Sequence, residues 1–151
     1  MLVDNSMFTP LTVPELLALA VDGEARGETI YGQIAVACVV RNRVATKFRG
    51  DDTYPKVILH PKQFSCFNEG DARDRLVKLA IGRGIEPSPD DRVLTQCLWV
   101  ARGVFDNYIM DVTQGANHYL TRALFESTGR PEWADPKKLV MTIQRHVFLK
   151  L

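Results

Sequence analysis

The chain has 151 residues, 46% of them apolar and 25% charged, with a formal net charge of +1 at pH 7. These values describe an ordinary globular chain, long enough for a single domain over residues 1–151 with its own core. A charge so near zero, with no basic run and no acidic tail, excludes electrostatic capture of nucleic acid.

No apolar run approaches the length needed to cross a bilayer, so no membrane insertion is expected. The first ten residues have no basic segment followed by an apolar one, which predicts a protein made in the cytoplasm without a conventional signal peptide. Cys38, Cys66 and Cys97 form an odd, widely spaced set without C-x-x-C. Cys38 and Cys97 fall in apolar helical patterns and read as reduced, buried thiols.

Thr12-Val13-Pro14-Glu15 reads as a helix start, with Thr12 as cap, Pro14 in the first turn and Glu15 closing a capping box. Leu16, Leu17, Leu19, Ala20 and Val21 supply the apolar stripe, and Gly23 or Gly27 is expected to end the helix. Glu24 then lies in or just after the last turn. From Thr29 an apolar segment runs about 16 residues through Val44, too long for a strand, and reads as a central helix buried on nearly all sides. Gly50-Asp51-Asp52 opens a loop, and Pro55 and Pro61 bracket Val57-Ile58-Leu59. Gln63 to Phe67 alternates like a short strand or hairpin arm.

Asp71 to Ile81 is expected to be helical, and Gly82, Gly84, Pro87 and Pro89 to make a loop. Ser88 is expected to cap the next helix, with Pro89 first and Asp91 third. Leu94, Cys97, Leu98, Ala101, Val104 and Phe105 are spaced as its buried face. Gly115–Leu120 and Val140–Leu149 read as extended, with Met141, Ile143, Val147 and Leu149 on one face and Arg145 breaking the alternation. The fold class expected is α+β, mainly α, with a few short strands.

Asp22-Gly23-Glu24-Ala25-Arg26-Gly27-Glu28 carries three carboxylates between two apolar segments. Charge clusters of this kind are usually solvated turns. A carboxyl at the mouth of a buried helix pair is, however, costly as scaffold, because burial disfavours its charged form. The negative end of the helix dipole adds a smaller push in the same direction. Both effects suit Glu24 to general acid work.

Asp22, Glu28, Glu69 and Asp71 are possible second carboxylates. Phe64, Phe67, Tyr119 and Trp133 are aromatics able to stack on sugar rings, and Gln63 and Ser65 can supply hydrogen bonds. His60, His118 and His146 are far apart and in no ligand spacing, so no metal and no cofactor is expected, and each reads as a hydrogen-bonded structural residue. Cys66 with His118 or His146 leaves a thiol peptidase or amidase open, although no helix start is evident there to lower the thiol pKa.

The words Glu24-Ala25-Arg26-Gly27-Glu28, Asn42-Arg43-Val44, Gln63-Phe64-Ser65, Gly115-Ala116-Asn117-His118-Tyr119, Trp133-Ala134 and His146-Val147-Phe148 occur in that order. In this the chain resembles the SleB-type cell wall hydrolases, the family of the spore cortex-lytic enzyme catalytic domain, over about residues 14–149. The resemblance implies a lysozyme-like fold of the lytic-transglycosylase type and places the catalytic acid at Glu24. It also implies that Gln63, Phe64, Ser65, His118, Tyr119 and Trp133 bind substrate. Leu149 departs from the pattern, since many relatives carry a tyrosine-like aromatic after that last word.

A lytic transglycosylase cuts the β-1,4 bond between N-acetylmuramic acid and N-acetylglucosamine with one glutamic acid, on the glycan strands of peptidoglycan. A muramidase hydrolase would instead need a second carboxylate, for which Glu28, Glu69 and Asp71 are the candidates. A non-catalytic glycan-binding protein is a further alternative. A bare catalytic domain without an export signal looks like a bacteriophage endolysin. Such an enzyme is expected to be a monomer that reaches the wall once a partner holin permeabilises the membrane.

Overall fold

The computed structural model describes residues 3–81 and 91–151. Helix α1 (Val13–Ala25) starts as its sequence dictates: the Thr12 hydroxyl accepts from the Glu15 N–H, and the Glu15 carboxylate accepts from the Thr12 N–H at 2.8 Å. The helix does not stop at Gly23 but runs on to Ala25, with Arg26 as its C-cap. Gly23 serves close approach instead. A Cβ there would lie 2.6 Å from both Cβ and Sγ of Cys66, so the absent side chain lets Cys66 pack onto the helix.

The long apolar segment is helix α2 (Ile30–Thr46), beginning after Thr29 and closed by Lys47 in the left-handed conformation. Every residue from Ala35 to Val40 is fully buried, as expected of a central helix. The segment between Pro55 and Pro61 contributes the short helix α3 (Tyr54–Ile58), capped by Thr53. Gln63 to Phe67 is not a strand. Phe64 is extended, but Ser65–Phe67 forms a 3-10 turn closed by Phe67 N–H to Phe64 O and Asn68 N–H to Ser65 O. Phe64, Cys66 and Phe67 are all buried, so the residues do not alternate between two faces of a sheet.

Helix α4 (Asp71–Ile81) follows as expected. The expected loop at Gly82 to Pro89 and the Ser88 cap lie outside the described residues. Helix α5 (Arg92–Phe105) is capped by Asp91, whose carboxylate accepts from the Leu94 N–H at 3.0 Å; Asp91 is therefore the cap, not the third helical residue. Its face of Leu94, Cys97, Leu98, Ala101 and Val104 is buried and packs on α1 and α2, with Phe105 half-buried at the margin.

The extended segments become β1 (His118–Thr121), followed by the short helix α6 (Arg122–Phe125), then β2 (Leu139–Ile143) and β3 (His146–Leu149). They form one antiparallel sheet in the order β1-β3-β2. Arg145 breaks the alternation because it lies in the hairpin turn: Ile143 pairs with His146, and Gln144 takes φ 53°. Tyr119 lies opposite Phe148, and both pack toward Ala35 and Val39 of α2. Leu120, Val147 and Leu149 turn to the other face and pack on Ala134.

One buried charge ties the helices together. The Asp22 side chain is fully buried on α1 and takes both its oxygens to Arg26 at 2.9 Å and to Arg75 of α4 at 2.7 and 2.8 Å. Both arginines also reach Asp91, the cap of α5, at 3.5 Å. Asp22 is thereby occupied as a structural clamp. Removing the charge leaves two arginines facing an amide, so Asp22→Asn is expected to cost about 2–4 kcal/mol, read as a lower urea midpoint at unchanged slope. A loss under about 0.5 kcal/mol would mean that the clamp contributes no more than an exposed pair.

Candidate active site

Glu24 ends α1 beside a cleft of about 260 Å³. Glu24, Ser65, Tyr119, Gln63, Phe64 and Lys62 line it. His118, Trp133, Arg43 and Arg49 complete the lining. The Tyr119 hydroxyl donates to Glu24 Oε1 at 3.1 Å, and the Ser65 hydroxyl donates to Oε2 at 3.3 Å.

Burial pushes the Glu24 carboxyl above the usual glutamate range, against the hydrogen bonds from Tyr119, Ser65 and Cys66 that favour its charged form. The group is therefore a desolvated acid with donors already aimed at the carboxylate it would become. Burial, and then the neighbouring Glu24, also push the Tyr119 phenol well above its ordinary value, so it stays a hydrogen-bond donor.

Of the residues singled out by sequence, Glu24, Gln63, Phe64, Ser65, His118, Tyr119 and Trp133 meet at this one cleft. Their surroundings differ. Trp133 is 41% exposed and presents an open ring. His118 is wedged between Phe48 and Trp133, each with its ring centre 5.0 Å away. Burial, reinforced by Arg43 and Arg49, lowers the His118 pKa to about 4, so the ring is neutral at neutral pH. Phe64 is buried and lies under the Arg43 guanidinium at 5.4 Å, while Phe67 is buried edge-on against Phe8 and lies off the cleft.

The proposed second carboxylates lie elsewhere. Glu28 is only 7% exposed and sits 3.3 Å from both Arg145 and His146. Its loop is pinned to the β2–β3 turn by Arg145 donating to Gly27 O at 3.1 Å and by Thr29 N–H donating to the Gln144 amide oxygen at 3.3 Å. Glu28 thus fastens the loop after Glu24 to the sheet that carries Tyr119. Glu69 and Asp71 are exposed and do not line the cleft. Leu149 is fully buried between strands, so the departure there touches no ligand surface.

Three cations in the lining, Arg43, Arg49 and Lys62, were not singled out from sequence. Arg43 was visible only as part of Asn42-Arg43-Val44, and that word has a structural function too. Asn42 donates to Ala116 O at 2.9 Å and to Asp111 and Thr113, and Arg43 Nε donates to Asn117 O at 2.6 Å. Together they hold the loop entering β1. Nothing in the local pattern distinguishes Arg49 or Lys62 from ordinary surface residues.

Cys66 is buried, and burial, with Glu24 beside it, pushes its thiol far above the ordinary range. That is the opposite of what a nucleophilic cysteine needs. Cys38 and Cys97 are buried free thiols as expected, the latter pushed by burial to about 12. His60 bonds Asp51 at 2.7 Å, His118 bonds Asn117 at 2.9 Å and His146 pairs with Glu28. Among the described residues, no group of three or more His, Cys, Asp or Glu is placed to hold a metal ion, and no helix is long and apolar enough to cross a membrane.

The family model described as Cell Wall Hydrolase matches residues 27–149. The chain belongs to the cell wall hydrolase family. The match begins just after Glu24, but likeness to solved members extends further. The catalytic domain of the germination-specific lytic transglycosylase SleB from Bacillus anthracis superposes with a TM-score of 0.65 at 27% identity, over 91% of this chain and 93% of that one. The catalytic domain of the Bacillus cereus SleB protein gives 0.58 at 28% identity, over 91% and 88%. The fold is accordingly lysozyme-like, mainly helical with one small sheet.

Among curated proteins, a spore cortex-lytic enzyme of Bacillus cereus is 29% identical over 136 residues, 90% of this chain and 43% of its own length. One from Halalkalibacterium halodurans is 28% identical over 134 residues, 89% of this chain and 33% of its own length. The chain thus spans less than half the length of these relatives.

The Glu24 environment makes a signed prediction. Tyr119 stabilises the carboxylate form, so Tyr119→Phe is expected to raise the Glu24 pKa further above the ordinary glutamate range. Carbon-13 NMR titration of labelled glutamate reads this directly. A fall in the Glu24 pKa on losing the hydroxyl would show that the bond favours the protonated acid instead.

Proposed function

We propose that this protein cleaves peptidoglycan glycan strands as a lytic transglycosylase, with Glu24 acting first as acid and then as base. One observation carries the reading: Glu24 is the only carboxylate lining the cleft among the described residues, and it is desolvated. Membership of the cell wall hydrolase family and the likeness to a lytic transglycosylase domain supply the substrate class.

Protonated Glu24 gives its proton to the glycosidic oxygen between N-acetylmuramic acid and N-acetylglucosamine as the C1–O bond breaks. The acetamido oxygen of the muramoyl unit supports the cation that develops at C1. Glu24, now ionised and held by Tyr119 and Ser65, takes the proton from the muramoyl 6-hydroxyl. That oxygen closes on C1 and forms the 1,6-anhydro ring. One residue thus serves both half-reactions, and its raised pKa lets it be acid in the first and base in the second. Trp133 offers the exposed ring for stacking a sugar, and Gln63 and His118 offer hydrogen bonds along the cleft.

Glu24→Gln keeps the shape and one acceptor oxygen but removes the acidic proton, so wall solubilisation is expected to fall by about 10²–10⁴-fold with little change in the melting curve. Residual activity within tenfold of the parent would assign the acid elsewhere. Product chemistry separates transglycosylation from hydrolysis. Released muropeptides are expected to end in anhydro-muramic acid, lighter by one water and inert to borohydride. Reducible ends that take up heavy oxygen from solvent would instead require a hydrolase.

The thiol reading is tested separately. Cys66→Ser is expected to keep most of the activity, and loss of all turnover in a folded variant would favour a cysteine mechanism.

A further inference from the structure

The cleft carries more positive charge than the chemistry above uses. Arg43, Arg49 and Lys62 line it against a single carboxylate, Glu24, in a chain whose net charge is only +1. Arg43 is accounted for: it is buried, bonds Asn117 O and Gln63, and is enclosed by the rings of Phe48 and Phe64 at 5.2 and 5.4 Å. Asp51, whose charge acts on Arg43, is held by His60.

Arg49 and Lys62 are different. Both are exposed, and neither has an ion pair with any described carboxylate. The Arg49 guanidinium is held in place by stacking on Phe48 at 5.0 Å, the ring that also packs on His118.

Arg49 and Lys62 both take a left-handed backbone, at φ 56° and 63°, as do Lys47 and three other non-glycine residues, so conformation alone does not set them apart. What distinguishes the two is a long cationic side chain lining the same cleft.

We propose that Arg49 and Lys62 form a cationic subsite that receives a carboxylate of the peptide stem on the muramoyl unit bound beside Glu24. The inference rests on the peptidoglycan reading, because it takes its ligand from that polymer. The glycan's hydroxyl and acetamido groups are neutral, and the lactyl carboxyl is consumed in the amide to the stem. The stem's own carboxylates are therefore the anions fixed at short reach from the scissile bond. A guanidinium and an ammonium at the cleft border attract them over roughly a Debye length and hold them at contact. The subsite then favours stem-bearing strands over strands whose stems have been removed or neutralised.

The test uses walls freed of phosphate polymers with hydrofluoric acid, either as they are or with carboxylates capped as methylamides by carbodiimide coupling. For the wild type, capping is expected to raise KM about tenfold with little change in kcat, the scale of two exposed ion pairs. The double variant Arg49→Gln/Lys62→Gln is expected to show that raised KM on uncapped walls and to lose little more on capping. Wild-type KM is also expected to rise with salt, and the variant's to do so far less. Equal losses for the variant on both wall forms, or a wild type indifferent to capping, would overturn the subsite. So would a charge effect seen only on walls that keep their phosphate polymers.

A binding arm separates this inference from the catalytic reading. Calorimetry with Glu24→Gln protein and a soluble disaccharide–tripeptide, native or capped, is expected to show the same tenfold difference. Absence of wall cleavage by the wild type with that difference intact would overturn the transglycosylase and leave the subsite standing. Cleavage without the difference would do the reverse.

Discussion

Burial raises the pKa of a carboxyl and a neighbouring cation lowers it, and the region around Glu24 supplies the first influence without the second. The residue stands at the C-terminal end of α1, where the helix dipole opposes negative charge. Cys66 closes one side of it, and can do so because Gly23 leaves room. Tyr119 closes another, fixed in β1 by packing on Phe148 and His146 at 5.8 and 5.5 Å. Burial is then the largest influence on the carboxyl, and the hydroxyls that touch it offset only part of that.

The scaffold follows from holding these pieces in register. Three parts of the chain meet at Glu24: the end of α1, the 3-10 turn at Ser65–Phe67 and strand β1. The end of α1 and the entry to β1 are fastened by polar devices, and among the described residues no buried side-chain nitrogen or oxygen is left without a partner. Asp22 between two arginines fixes α1 to α4 and to the cap of α5. Asn42 and Arg43 fix α2 to the loop before β1. Glu28 and Thr29 fix the turn after Glu24 to the β2–β3 hairpin. The acidic and amide residues that make the sequence words conspicuous are, apart from Glu24, mostly these fasteners.

That division explains what the sequence made legible. The capping box at Thr12, the apolar run of α2 and the buried face of α5 are dictated by spacing, and the helices appear where spacing puts them. Glu24 was singled out by its place at the end of an apolar helix together with the word Glu24-Ala25-Arg26-Gly27-Glu28, since the charge cluster by itself reads as a solvated turn. The 3-10 turn at Ser65 was not, because aromatic–polar alternation is the same for a strand and for a turn that buries both phenylalanines. Glu28 looked like a second catalytic carboxylate because its partners, Arg145 and His146, are more than a hundred residues away and only the fold brings them to it. Arg49 and Lys62 were invisible for a related reason: exposed cations are common, and only the cleft gives these two a shared position.

The distribution of charge within the cleft carries the last step. Were Arg43, Arg49 or Lys62 paired directly with Glu24, the carboxyl would be ionised throughout and unable to donate a proton. Burial and hydrogen bonds act on it instead, and no cation is among its principal influences. Arg43 is turned toward Asn117 O and Gln63, and its burial brings it down to about 10, still fully charged at neutral pH. Neutral His118 stands among the cations without adding to their charge. The cleft therefore combines a carboxyl raised by burial with exposed cations that do not pair with it. Under the proposed reading, the first suits proton transfer at a bond between neutral sugars, and the second suits the carboxylates carried on the side arms of the same polymer.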